Sequence, residues 1–494
     1  MRSFATGAVA ELVAGSRLRL SLEPSVPRLL GAAGYRVRSS PWGQRRLQLY
    51  DTADGRLAAA GAELFSSPRE GWTWRRSGLG HPKLGAREWL APALTPTDRL
   101  MEWTRAYRRG EPLDARATVL LRRRSHQVGD DRSDDLLTLD EERYDEQVGG
   151  RWTPRVRRLV VRETAAGRAA ARAVAPLQEA ALADAPILAL LDPGLVRAPM
   201  LKLPAVDSTG VRDLFMRSAG LSVIQWLYLD CEVSGGGAVE ALRKMRVALR
   251  RLRSDLQTFA PLLERAWAEA LREQLGVMAG RLGVVRDAEV LVDRLGSLLP
   301  FVPEADQQPA QALVDVAGEQ LAGARAELLD TLATEGYLAA LDGALGAATA
   351  PRWADPEGDG SLPVVTQLAR RPWRRLRDHA ASLDALPGDA QLHRMRILAK
   401  RARYAADACA PAVGRPAAAS AQHLADLQTV LGDHHDAAVT SGWLRRQADA
   451  STELAFAAGQ MAGLELQRLE EAQEAWPAAL AAASRRQGWR WLRS

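Results

Sequence analysis

Apolar residues recur with two different periods along this chain. Up to about residue 165 they alternate with polar residues or sit in short runs of β-formers. The segments SRLRLSL, RRLQLYDT, GWTWRRS, ATVLLRRRS, DLLTLDEERYDEQV and VRRLVVRE show it best. Alternation puts every second side chain on one face, so each segment predicts a strand. Asp54-Gly55 and Gly149-Gly150 supply turn signals between some of them. From about residue 170 the pattern becomes helical, with long runs of Ala, Leu, Arg and Glu. PLQEAALADAPILALLD predicts a helix and its exit, closing a first, strand-rich domain over residues 1–195. An all-helical domain is expected over 205–494.

Three breakers divide the helical part: SGGG at Ser234–Gly237, LPFVPEADQQP, and APRWADPEGDGSLP at Ala350–Pro363. The last splits it into halves, 205–349 and 362–494. Each half contains one strongly basic segment, and the two segments correspond position by position. LRKMRVALRRLR runs from Leu242 to Arg253, and LHRMRILAKRAR runs from Leu392 to Arg403. Met245 corresponds to Met395, Arg246 to Arg396, Arg250-Arg251 to Lys400-Arg401, Arg253 to Arg403 and Arg243 to His393. A second repeated element follows at nearly the same spacing. RLGVVRDAEVLVDRL starts at Arg281 and VLGDHHDAAVTSGWL at Val430. Leu282-Gly283 corresponds to Leu431-Gly432, and Arg286-Asp287 to His435-Asp436. Here each glycine is expected to end one helix, with the next beginning almost at once. Arg286 and His435 would then sit in a first turn, where backbone N–H groups and the helix dipole favour an anion. Asp287 and Asp436 would cap that turn or orient the neighbouring cation.

At about 100° per residue, Leu242, Met245, Leu249, Leu252 and Leu256 share one face, the expected core stripe. Arg243, Arg246, Arg250 and Arg253 form a second stripe beside it. His393, Arg396, Lys400 and Arg403 occupy the same stripe in the second copy. Lys244, Arg251, Arg394 and Arg401 lie on a third, outer sector. Like charges at i,i+4 each cost a few tenths of a kcal/mol. Acids from other helices could offset that cost in an internal salt-bridge network. A polyanion offsets it too, and repetition of the same cationic positions favours that reading. Arginine presents planar forks that match phosphate, and lysine adds a point charge.

Composition narrows the partner class. The chain has 494 residues, 47% hydrophobic and 26% charged, which suits a folded chain of two or three domains. Its net charge of +6 points to an anionic partner. No apolar run is long enough to span a bilayer, so no membrane partner is expected. The start, MRSFATGAVAELVAGSRLRL, lacks the hydrophobic segment and cleavage site of a signal peptide. Two distant cysteines, Cys231 and Cys409, argue against a disulfide scaffold or cysteine-based zinc site and suit a reducing cytoplasm.

The repeated segments resemble the CHAD family, the conserved histidine α-helical domain. MRVALRRLRSDL, RLGVVRDAEVL, LHRMRILAKRARY and LGDHHDAAV are similar to its motifs, and the resemblance runs from about Asp207 onward. One departure is Arg243, where the family usually has histidine. The resemblance implies two pseudo-symmetric four-helix bundles whose basic helices line a central pore or groove. It implies binding of inorganic polyphosphate by the two stripes, by Arg286 and by His435. Lys244, Arg251, Arg401 and Tyr404 would be secondary contacts, and polyphosphate granules a location.

More weakly, LQLYDTADGRLAAAGAELFSSPREGWTWR resembles the CYTH family of triphosphate tunnel enzymes. That resemblance implies an antiparallel β-barrel, making the whole an α+β multidomain chain. The catalytic strand of that family carries E-x-E-x-K, and RLRLS places Arg17, Arg19 and Ser21 there. A later acidic strand reads LVVRE, leaving Glu163. Triphosphate hydrolysis in such a fold needs carboxylates that hold a divalent cation. A degenerate, non-catalytic domain is therefore expected, with no cofactor and no metal. Hydrolysis by this domain is the alternative. His393, His435 and Asp436 also suggest a metal-dependent phosphohydrolase, but Arg243 and Arg286 replace the histidines in the first copy. Nucleic-acid binding is a further alternative. Basic helices suit phosphate backbones, although few aromatic side chains interleave with these stripes.

Overall fold

In the computed structural model, the described residues are 11–14, 25–77, 81, 84, 87–92, 97–131, 133, 136–163, 186–192, 194–195, 200–205, 210–236, 239–355, 362–384, 386–485 and 488–492. They fall into two units, Met1–Leu201 and Lys202–Ser494. Arg17, Arg19 and Ser21, on which the catalytic-strand reading rests, lie outside the described residues. So does most of the expected helix that starts at Pro176.

The alternation over residues 45–52 becomes β3, Gly43–Asp51, with Leu47 and Leu49 turned inward. Similar patterns give β5 (Gly71–Arg76), β7 (Asp114–Gly129), β8 (Leu137–Val148) and β9 (Arg151–Glu163). Among the described residues β1 (Glu11–Ala14), β2 (Arg36–Ser39), β4 (Ala62–Ser67) and β6 (Arg87–Ala91) complete one antiparallel sheet. Its order is β1-β9-β8-β7-β3-β4-β5-β6, and β2 also pairs with β7. Gly149 and Gly150, both at positive φ, make the tight β8–β9 turn. On one face Leu47, Leu49, Phe65, Val119, Leu121, Tyr144 and Val156 pack together with Ile187 and Leu188.

Three helices in this unit are short of the sheet's scale: α1 (Val26–Ala32), α2 (Arg56–Ala59) and α3 (Asp98–Arg108). Asp51 anchors α2, its buried carboxylate accepting from the backbone N–H groups of Thr52, Leu57 and Ala58. Thr97 caps α3 by accepting from the Leu100 N–H. A last short helix, α4 (Ile187–Leu191), carries the exit segment.

The second unit is helical. Its first half contains α5 (Val211–Ser234), α6 (Val239–Thr258), α7 (Arg265–Leu298), α8 (Gln307–Leu332) and α9 (Glu335–Thr349). The second half contains α10 (Leu362–Ala381), α11 (Asp389–Val413), α12 (Arg415–Ala450) and α13 (Thr452–Ala483). The repeat pairs α5 with α10, α6 with α11, α7 with α12 and α8 with α13, two sets of four. Helix α9 is an addition that docks on α5, with Trp226 Nε1 donating to Tyr337 Oη at 2.9 Å. The long hairpins α7–α8 and α12–α13 pack on each other through Leu291, Leu295, Leu298, Leu313, Trp443 and Met461. Among the described residues no helix is long and apolar enough to cross a membrane.

One expectation is overturned. Gly283 and Gly432 do not end helices. They lie inside α7 and α12, which run 34 and 36 residues without a break. A mid-helix glycine costs only about 1 kcal/mol relative to alanine. Buried Leu282, Val285 and Leu431 keep the apolar stripe continuous across both glycines, and that packing outweighs the glycine cost.

Candidate functional site

Helices α6 and α11 carry the two basic segments and pack against each other. Leu242, Met245, Leu249, Leu252 and Leu256 are buried as their spacing demands, and so are Leu392 and Met395. Burying one stripe fixes the rotation of each helix and so aims the neighbouring stripe.

Five cations converge where the helices cross: Arg246 and Arg250 from α6, Arg286 from α7, and Arg396 and Lys400 from α11. Burial and the charges of Arg250, Arg396 and Arg286 hold the Arg246 guanidinium below its usual range, against the pull of Asp287. Burial also lowers Arg396, with Arg250 close by and Asp436 opposing. Burial, with Arg396, Arg250 and Arg246 nearby, pushes Lys400 down to about 7. Arg250 Nε donates to the buried Tyr404 Oη at 3.2 Å, linking the two halves. The Nε of Arg396 is buried and, among the described residues, has no hydrogen-bond partner. A buried, unsatisfied donor costs about 1–3 kcal/mol.

Carboxylates near these cations are few. Asp287 accepts from Arg246 at 3.3 Å, so it orients the cation and caps no turn. Burial raises the Asp436 carboxyl, with Arg396 and Arg294 opposing. Arg286 bonds Glu289 at 3.3 Å, and Arg325 shares that buried carboxylate at 3.1 Å.

His393 and His435 meet at the edge of the cluster, Nδ1 to Nδ1, 3.1 Å apart. Only one of two facing ring nitrogens can carry the proton, so one imidazole donates and the other accepts. Burial and then Arg396 hold both below their ordinary range, His435 at about 4. In both, burial therefore favours the neutral imidazole. Because α7 and α12 are continuous, Arg286 and His435 sit mid-helix, where no backbone N–H is free. The anion contact expected from a helix start therefore falls away, and only their side chains can act.

The remaining stripe residues lie outside this cluster. Arg243 and Lys244 are exposed and pair with Glu240 at 2.6 and 3.4 Å. Arg403 lies 3.7 Å from Asp407 and donates to Gln428 at 3.4 Å. Arg251 is half-buried, and its charge draws down the carboxyl of buried Asp255, which burial raises to about 6. Arg253 and Arg401 gather instead with Arg272, Arg375 and Arg394. The basic run RRPWRRLRDH could have flagged Arg375, but nothing local distinguishes Arg272.

The histidine pair supplies two metal donors, and among the described residues no group of three or more His, Cys, Asp or Glu converges. In the first unit the acids facing β7 are already engaged. Glu141 is fully buried and bonds Arg124, Arg143 and Arg157 at 2.6–2.9 Å. Asp145 is held by Arg122, and Asp140 by Arg123.

Residues 219–445 match the family model of the CHAD domain. Over that span the chain is similar to CHAD domains. The matched span takes in both basic helices and both glycine-centred motifs. Two Mycobacterium tuberculosis proteins called uncharacterized, MT2285 and Rv2226, are 34% identical to the chain over 247 residues. That match covers 48% of this chain, and the chain spans only 45% of the length of either relative. Among solved structures, PptA from Streptomyces chartreusis is similar with a TM-score of 0.48 and 23% identity, over 55% of this chain and 99% of PptA. The CHAD domain from the plant Ricinus communis has the same TM-score and identity, over 58% of this chain and 96% of its own.

Proposed function

We propose that the CHAD-like domain binds inorganic polyphosphate and performs no catalysis. Arg246, Arg250, Arg286, Arg396 and Lys400 form the centre of the site, with His393 and His435 at its edge. The observation that carries this reading is the meeting of cations from both repeats with few carboxylates to neutralise them. A linear chain of phosphates supplies closely spaced negative charge and acceptors for donors such as Arg396 Nε. Arg243, Arg253 and Arg403, with Lys244, Arg251, Arg401 and Tyr404, are proposed to guide the chain into and out of the centre. The binding region is taken as residues 205–494, in halves 205–349 and 362–494, with residues 1–195 as a non-catalytic companion. The engaged acids of β8 support that companion role, since a carboxylate bound by arginine is a poor ligand for a divalent cation. The proposed location is the cytoplasm, at polyphosphate granules.

The test is binding of long-chain polyphosphate to the wild type and to an Arg246→Ala/Arg396→Ala variant at two salt concentrations. The expected result is binding that weakens with salt and falls on the order of 100-fold in the variant. Retained binding in a folded variant would overturn the reading. So would efficient displacement of polyphosphate by duplex DNA, which would favour nucleic acid as the ligand.

A further inference from the structure

The repeat makes the central cluster nearly symmetric, but a second group of arginines breaks that symmetry. Arg253 projects from α6 against α7, where it lies over Gly276. A Cβ there would come within 3.2 Å of Arg253 Nη2. Arg272 stands one turn before Gly276 on the same face of α7. Arg394 and Arg401 are two turns apart on one face of α11, and Arg375 comes from α10. Burial and the charges of Arg272 and Arg401 lower Arg253. Burial and the charges of Arg375, Arg272 and Arg394 lower Arg401. The Nε atoms of Arg253 and Arg272 are buried and, among the described residues, have no hydrogen-bond partner. Among the described residues, no carboxylate lies within 4 Å of the charged nitrogens of any of the five.

The counterpart on the other side of the pseudo-dyad is different. The repeat offset places Ala421 where the first half has Arg272, and Gln225 opposite Arg375. Arg403, the counterpart of Arg253, is occupied by Asp407 and Gln428. Among the described residues, an arginine cluster without acids therefore stands on one side and not on the other. Five like charges at close range repel one another, and among the described residues no ion pair relieves them.

We propose that Arg253, Arg272, Arg375, Arg394 and Arg401 form a second polyphosphate-binding patch that receives a chain leaving the central cluster on one side. This rests on the polyphosphate reading above and adds direction and length to it. A short oligophosphate fills the centre alone. A long chain engages both, so its affinity carries the additional patch.

The experiment compares tripolyphosphate with long-chain polyphosphate by calorimetry. It uses the full chain, an Arg272→Gln/Arg375→Gln variant, and an Arg246→Gln/Arg396→Gln variant. Circular dichroism confirms that each variant folds. For Arg272→Gln/Arg375→Gln, long-chain affinity is expected to fall about tenfold at constant phosphate concentration, with tripolyphosphate affinity unchanged within twofold. The salt dependence of long-chain binding should also become shallower. For Arg246→Gln/Arg396→Gln, both ligands should be lost. If Arg272→Gln/Arg375→Gln leaves both affinities unchanged, or weakens both equally, the patch is overturned while the central site stands. If the full chain binds neither ligand, the patch and the polyphosphate reading fall together.

Discussion

Lys400 makes the central site sensitive to pH. Burial and its arginine neighbours bring it to about 7, far below the ordinary lysine range. A lowered folded-state value means that the unfolded chain binds the proton more tightly. Lys400 therefore costs the empty protein stability as pH falls from its unfolded value towards 7. A bound polyanion reverses the balance, because it favours the ammonium. Binding should take up protons near pH 7–8, and affinity should fall as pH rises from 7 to 9. Calorimetry in two buffers of different ionisation enthalpy would read the uptake directly. Lys400→Arg, charged throughout that window, should flatten the profile. His393 and His435 act in the same direction at lower pH, where ligand-driven protonation of the facing pair would tighten binding further.

At the scale of elements, α7 and α12 are the informative pieces. Their glycines resemble helix ends in sequence, yet each lies in the middle of a long helix. At Gly432 an added Cβ meets nothing within 4 Å. Gly432→Ala should therefore stabilise the protein by about 0.5–1 kcal/mol through helix propensity, visible as a raised melting temperature. A glycine that ended a helix at positive φ would give the opposite sign. The hairpin contact between α7–α8 and α12–α13 should be equally measurable. Met461 is fully buried there, and Met461→Ala should cost about 2–5 kcal/mol without altering the charge of the site.

For the molecule as a whole, polyphosphate binding is expected to rest with the second of the two units. Glu141 ties the first unit together. Burial pushes its carboxyl up, but hydrogen bonds from His126, Arg124 and Arg143 and the charge of Arg157 more than reverse this and hold it well below the usual carboxylate range. The stability it contributes is present above the ordinary glutamate range and is lost as pH falls through and below that range. Glu141→Gln, leaving three guanidiniums without their carboxylate, should cost about 3 kcal/mol. Polyphosphate affinity should nevertheless stay within twofold of wild type. A parallel loss of binding would show that the first unit takes part in recognition.

The sequence by itself determined the β-to-α order, the breakers near 235, 300 and 350, and the cationic stripe beside an apolar one. Each depends on local periodicity, which a single helix or strand expresses without its neighbours. Equally local is the correspondence of Arg246 with Arg396. Only the tertiary structure decided which cations meet. Neighbours along one stripe separate: Arg243 turns to Glu240, Arg246 joins the centre and Arg253 crosses to Arg272. The last pairing joins residues on two different helices, so no one-dimensional spacing records it. Continuity through Gly283 and Gly432 was settled in the same way, because a glycine carries no side chain to declare its environment. The packing of the flanking leucines and valine decides whether the helix goes on.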